Sequence, residues 1–114
     1  PFDMFYAMPG LEELNLGGNE ISALPPSLWS LKSLQILCIS RNKIASIPDD
    51  VSKLVSLEHL HASHNSMEAL PAALGGLSML RVLNASCNRL SSCPREVAGL
   101  QRLTSLNLSG NRLR

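Results

Sequence analysis

Leucine recurs at a fixed interval of 23 residues through nearly the whole chain, and this period constrains the fold more than any other feature. An asparagine column and a proline column keep the same step, without one insertion. The recurring positions are Leu11, Leu34, Leu57, Leu80 and Leu103; Leu14, Leu37, Leu60, Leu83 and Leu106; Asn19, Asn42, Asn65, Asn88 and Asn111; and Pro25, Pro48, Pro71 and Pro94. Since one short unit cannot bury its own apolar face, such a repeat predicts units that stack around a shared core.

Each unit changes its apolar period partway along. Segments such as Leu14-Asn15-Leu16 alternate, which predicts a short strand with one buried face. The asparagine that follows predicts a tight turn, because its side chain can bond backbone groups there. From the proline onward, as in Pro48 to Leu54, apolar residues fall three apart, which predicts a short helical turn of 3₁₀ or α type. We therefore predict an α/β solenoid that curves, with a parallel sheet on the concave side and helical turns on the convex side.

The repeated units resemble leucine-rich repeats. The segments LQILCISRNKIASIPDDVSKLVS and LRVLNASCNRLSSCPREVAGLQR carry the pattern. Their length and Leu-Pro-x-x-Leu motif are similar to those of the Ras-group intracellular scaffolds, the Scribble-group scaffolds and the repeat region of Roco-type kinases. The resemblance implies a cytoplasmic scaffold or signalling protein that binds another protein on the concave strand residues. It also suggests a small GTPase or a phosphatase as that partner.

We predict a single leucine-rich-repeat segment over residues 1–114, with boundaries set by the leucine column. Residues 1–10 resemble the tail of a preceding repeat. The repeats then span 11–33, 34–56, 57–79, 80–102 and, incomplete, 103–114. Neither end carries a capping element, so we expect the segment to belong to a longer protein.

Composition and charge exclude several classes of function. Ten basic residues balance nine acidic ones, for a net charge of +1, which predicts no nucleic-acid partner. Residues 1–57 are slightly acidic and residues 58–114 slightly basic. This asymmetry has two interpretations, namely solvated surface charge and a charge gradient that orients a partner. No apolar run reaches the roughly 20 residues of a membrane span, and the N-terminus lacks the pattern of a signal peptide. Three cysteines without paired spacing favour a reducing compartment.

Side chains alternate faces along a strand, so the positions that point away from the core follow from the repeat. These positions and the strand ends give the predicted partner-binding residues. They are Glu13, Asn15, Ile36, Cys38, Arg41, His59, His61, His64, Val82 and Asn84. We expect the histidines and their neighbours to form the centre of the surface, with Glu13 and Arg41 as flanking charges.

The histidines also raise the question of a metal site. All three lie in one repeat, with Cys38 predicted beside His61 and Cys87 beside His64. Zinc accepts nitrogen and sulfur ligands of this kind. The spacing matches no metal-binding motif, however, and a twisted sheet does not converge side chains on one point. We therefore favour a polar contact patch with a pH response near the usual histidine pKa.

No arrangement of residues predicts catalysis or a cofactor. Ser63 lies near His61 and His64, but no orienting acid or oxyanion hole accompanies it. Aromatic residues make up 4% of the chain, whereas cofactor pockets usually have aromatic walls. We predict no enzymatic activity and no cofactor for this segment, while a kinase or GTPase domain outside it, regulated by the repeats, stays open.

Two Asn-x-Ser sequences support an extracellular alternative. Asn84-Ala85-Ser86 and Asn107-Leu108-Ser109 match the N-glycosylation pattern, although a glycan on either would cover the concave strands. With the phenylalanine-containing first unit, they favour recognition repeats of a receptor as the second interpretation.

Alanine replaces the usual leucine or isoleucine at two core positions, Ala62 and Ala85. The core should be thinner there unless Met67 or Met79 fills the space. Cys93 replaces the leucine before a proline and is predicted to lie in the core.

Trp29 stands outside the apolar pattern of the repeat. Two interpretations remain for it, a surface anchor for a partner and packing beneath a loop.

Overall fold

A computed structural model describes residues 2–113 as a stack of five parallel strands and five 3₁₀ turns. The strands are β1 (Glu13–Asn15), β2 (Ile36–Cys38), β3 (His59–His61), β4 (Val82–Asn84) and β5 (Ser105–Asn107), paired in chain order. The turns are η1 (Phe2–Ala7), η2 (Pro26–Ser30), η3 (Asp49–Lys53), η4 (Ala72–Gly76) and η5 (Arg95–Gly99). The predicted leucine-rich-repeat solenoid is confirmed. Pro1 and Arg114, which the predicted repeat boundaries include, lie outside the described residues.

The central leucines of the strands align in register across the sheet. Leu14 pairs with Leu37, and the pairing continues without a slip through Leu60 and Leu83 to Leu106. The three middle leucines are fully buried, whereas Leu106 is 45% exposed. The difference arises because β5 has a strand on one side only among the described residues, so burial depends on having two neighbours.

The segments on the convex side are 3₁₀ turns, which settles the choice between 3₁₀ and α that the sequence left open. Each of η2 to η5 follows a proline in an extended conformation. The closing leucine donates its N–H three residues back, as Leu54 does to Val51 at 3.1 Å. None of the helical segments between residues 2 and 113 is long and apolar enough to cross a bilayer.

The constant interval between the asparagines corresponds to a ladder of hydrogen bonds between repeats. The side-chain nitrogen of Asn88 donates to the carbonyls of Ala62, Ala85 and Ser86 at 3.0 to 3.2 Å. Its oxygen accepts the N–H of Met67 at 3.1 Å. The same arrangement recurs at Asn42, Asn65 and Asn111. The predicted turn role of the asparagines is confirmed, with the addition that each of these four ties its own repeat to the previous one.

Only one of the two methionines predicted to fill the thin part of the core is buried. Ala62, Ala85 and Met67 are all fully buried, while Met79 is partly exposed. Of the two methionines, Met67 is therefore the one that can compensate for the alanines.

Cys93 lies against the core but stays partly exposed, so the prediction of a core residue is correct only in part. Ile47 and Leu70, at the same repeat position, are 5% and 6% exposed. No residue within 2–113 occupies that position one repeat further on, so the outer side of Cys93 is uncovered. Its burial still suffices to raise the pKa of the thiol.

Trp29 is not a surface anchor, because only 5% of it is exposed. It packs into the core from η2, against which η1 is stacked. The equivalent residues in the next three repeats are the small Ser52, Gly75 and Ala98, which is why the apolar pattern of the repeat does not reveal its burial.

Candidate functional site: the concave face

The outward residues of the five strands form two columns on the concave face. One column contains Glu13, Ile36, His59, Val82 and Ser105, and the other contains Asn15, Cys38, His61, Asn84 and Asn107. We call these ten residues the concave face. On β2 to β4 they are partly exposed while the leucine between them is buried. These side chains are therefore not part of the core, and the backbone register fixes their spacing.

Eight of the ten predicted partner-binding residues lie on this face, and two lie beside it. Arg41 and His64 come after the strand ends, in left-handed backbone with φ of 60° and 56°. Cys87 shares this conformation, and glycines occupy the same repeat position at Gly18 and Gly110. Arg41 and His64 therefore form part of the edge where the chain leaves the sheet.

A pair of histidines occupies the middle strand. The ring centroids of His59 and His61 lie 6.1 Å apart, with planes inclined by 39°. Burial, followed by the charge of His59, lowers the pKa of His61 below its ordinary value of 6.5. Near neutral pH, His61 therefore presents an uncharged imidazole that can both donate and accept a hydrogen bond.

The concave face bears little formal charge. Glu13 is the one carboxylate among its ten residues, and none of them is a lysine or an arginine. Next to Glu13, a depression of about 400 Å³ opens between the first three strands. Its walls are Glu13, Leu14, Asn15, Ile36, Cys38 and His61. Such a mixed lining suits an apolar side chain carried on a polar backbone.

The asparagines of the second column are held by their own backbone, a feature that the sequence reasoning missed. The side-chain oxygen of Asn84 accepts the N–H of Ser86 at 3.1 Å, and Asn107 bonds Ser109 in the same way at 3.0 Å. The Nδ2 of Asn84 has no hydrogen-bond partner in the described part of the chain, so it remains available as a donor. Asn15 accepts the N–H of Gly17 in the same way at 2.8 Å, so asparagine at this repeat position, rather than the Asn-x-Ser pattern, is the signal that could have indicated this local bond.

A second serine contact links two repeats at the strand ends. The Oγ of Ser40 accepts both the N–H and the hydroxyl of Ser63, each at 3.1 Å. These bonds engage Ser63 in the scaffold, which leaves it poorly suited to act as a nucleophile.

The potential zinc ligands are not gathered into a site. Cys38 pairs with His61 in the register of the sheet. Between residues 2 and 113, however, no three histidine, cysteine or acidic side chains are grouped closely enough to hold a metal ion. All three cysteines are unpaired thiols.

Comparisons with known proteins agree with this architecture. The family model described as a leucine-rich repeat region matches residues 7–113. A leucine-rich-repeat protein of Leptospira interrogans superposes with a TM-score of 0.91 at 35% identity, over 95% of this chain and 28% of its own. An internalin of Listeria monocytogenes gives 0.85 at 30% identity, over 98% of this chain and 32% of its own. A comparison with curated proteins gives no match.

A plant receptor supplies a third similar structure. The leucine-rich-repeat ectodomain of the membrane receptor kinase GASSHO1/SCHENGEN3 from Arabidopsis thaliana, in complex with Casparian strip integrity factor 2, gives a TM-score of 0.87 at 31% identity. The match covers 97% of this chain and 14% of the ectodomain. The chain thus spans less than a third of each of these three structures.

Proposed function

Because the chain belongs to the leucine-rich-repeat family, we propose that it is a protein-binding module that docks its partner on the concave face. The observation that carries the proposal is the set of ten outward side chains held at one-repeat intervals while the alternate leucines form the core. A surface that is already ordered loses little conformational entropy when a partner binds.

The chemistry of the face favours a partner segment that is largely uncharged at its centre. Ile36 and Val82 flank His59 in one column and offer apolar contacts. His61 and the free amide of Asn84 offer hydrogen bonds in the other column. An extended segment with an apolar anchor and backbone polar groups would satisfy both columns at once.

For the cellular setting, we propose a cytoplasmic scaffold or signalling protein. The support is chemical, since three unpaired thiols suit a reducing compartment. The proposal of a small GTPase or a phosphatase as the partner rests on the resemblance to intracellular repeat proteins. The proposal that the repeats regulate a kinase or GTPase domain rests on the same resemblance.

Recognition repeats of an extracellular receptor are the second candidate. The similarity to the Arabidopsis receptor ectodomain supports this candidate, as do the two Asn-x-Ser sequences. The mass of the protein isolated from its own cells, before and after glycosidase treatment, separates the two settings. A glycan on Asn84 or Asn107 would favour the receptor and would also contradict docking on the concave face.

Site-specific photocrosslinking tests the proposed function directly. A photoreactive residue replaces His61 on the concave face or, as the control, exposed Ala98 on η5. We expect one discrete adduct from position 61 that position 98 does not give, and mass spectrometry then identifies the partner. Equal adducts from both positions, or an adduct from position 98 alone, would contradict docking on the concave face.

A further inference from the structure

Four exposed cations lie along the edge where the chain leaves the sheet, apart from the concave face. Lys43, Arg89 and Arg112 share one position of the repeat, and Arg41 lies two residues before Lys43. We call these four residues the basic strip. Its cations outnumber the two carboxylates of the same edge, Glu20 and Glu68. The net charge of +1 for the whole chain conceals this local excess.

The cations of the basic strip have no carboxylate partner in the described part of the chain. The two ion pairs among residues 2–113 lie elsewhere, joining Lys53 to Asp50 at 3.1 Å and Arg81 to Glu58 at 3.7 Å. Exposed cations that the protein itself does not neutralise remain available to an anionic ligand.

The backbone holds the strip at a fixed spacing. Lys43 donates its N–H to the carbonyl of Ile21 at 2.8 Å, and Arg89 bonds Met67 in the same way at 2.8 Å. Arg112 completes the series with the carbonyl of Leu90 at 2.9 Å. Because these bonds connect consecutive repeats, the backbones of Arg89 and Arg112 lie roughly 5 Å apart, the distance between neighbouring strands.

The two arginines share a polar depression. It has a volume of about 300 Å³ and is lined by Glu68, Arg89, Ser91 and Arg112. Two guanidinium groups and a hydroxyl are donors that match the paired oxygens of a carboxylate. Glu68 on the wall confines the attraction for an anion to the two guanidinium groups, which suffices for a short acidic segment. The near-neutral chain provides little of the long-range attraction that a nucleic-acid backbone requires.

We propose that the basic strip is a second docking surface, which binds an acidic segment of a partner protein at the Arg89–Arg112 depression. The surface is separate from the concave face and can operate whether or not that face binds. A partner could engage both surfaces, and the strip would then set its direction along the solenoid.

A labelled octaglutamate peptide is the probe, measured by fluorescence anisotropy against the full chain in low salt. The test variant carries Arg89→Gln and Arg112→Gln. The matched control carries Arg95→Gln and Arg102→Gln, which remove the same charge from exposed residues of η5 and of the turn that follows it. A third variant with Arg89→Lys and Arg112→Lys keeps the charge and removes the guanidinium forks. Circular dichroism melting verifies that all variants fold.

We expect the Arg89/Arg112 glutamine variant to weaken peptide binding about tenfold, the lysine variant to weaken it less, and the control to change it less than about twofold. Equal losses from the test and control variants would overturn the proposal, because net charge alone would then explain binding. So would a DNA duplex that binds through the same two arginines more tightly than the peptide. Absence of peptide binding by the unmodified chain would also refute it, without bearing on the concave face.

Discussion

The side-chain oxygen of Asn88 accepts the backbone N–H of Met67 at 3.1 Å, which joins two repeats across 21 residues of sequence. Asn88 is 7% exposed, and its nitrogen bonds three carbonyls. Asn88→Ala should therefore lower the free energy of unfolding by about 1–3 kcal/mol, because it leaves buried backbone groups unsatisfied.

Urea denaturation measures this loss, and Asn107→Ala is its control. Asn107 is exposed and bonds Ser109 within its own turn, so its replacement should change the stability by no more than about 0.5 kcal/mol. A similar loss of stability in both variants would show that the hydrogen bonds between repeats stabilise the fold no more than a local turn bond does.

Met67 is the second residue whose loss should be costly. Its side chain is fully buried in the core that also contains Ala62 and Ala85, and Met67→Ala should destabilise the fold by about 2–5 kcal/mol. Met79→Ala, at a partly exposed position, should cost far less. The midpoints of thermal unfolding compare the two variants, and a larger loss for Met79 would contradict the assignment of Met67 as the filler.

Gly18 allows a clean test of backbone strain. Its φ is 76°, and a β-carbon added there would meet no atom within 4 Å. Gly18→Ala should therefore cost about 1–2 kcal/mol through the left-handed conformation alone. Gly10 has equally open surroundings without a positive φ, so Gly10→Ala should be neutral or slightly stabilising. Equal effects in chemical denaturation would mean that the turn after the strand imposes no such constraint.

The lowered pKa of His61 predicts a pH dependence of stability. The native state binds fewer protons at His61 than the unfolded chain does, because folding lowers this pKa below 6.5. The contribution of His61 to stability is thus complete above pH 6.5 and is lost as the pH falls through the native pKa. His61→Asn, which installs the residue found at Asn84 and Asn107, should remove this part of the pH dependence.

Nuclear magnetic resonance titration of the imidazole signals checks the same point. The midpoint of His61 should lie below 6.5. His59→Gln should raise this midpoint only in part, because it removes the charge of His59 but leaves burial, the larger of the two causes. A midpoint of His61 above 6.5 would contradict the described surroundings of the ring.

The period of the sequence was sufficient to predict the fold and most of the candidate site. Because the repeat length never changes, the leucine pairs and the alternate outward residues could be assigned by register alone. At the position of Trp29, the apolar pattern of the repeat carried no information about burial. Trp29 shares its position with Ser52, Gly75 and Ala98, so its burial depends on the neighbouring turn rather than on its own repeat.

Side-chain surroundings were the other part beyond prediction. The left-handed backbone at Arg41 and His64 arises from turn geometry. It sets the direction of these two side chains, which the spacing of the repeat does not reveal. The partial exposure of Cys93 depends on what covers it from the next repeat, which its own sequence position does not specify.

The binding affinity of the partner captured by crosslinking tests the central claim most directly. Titration calorimetry compares the unmodified chain with His61→Glu and Asn84→Arg on the concave face, and with Ala98→Arg on η5. We predict at least about a tenfold rise in Kd for each concave variant and no change for the convex one, with every variant still unfolding in one cooperative transition. Unchanged affinity in both concave variants would contradict the claim that this face binds the partner.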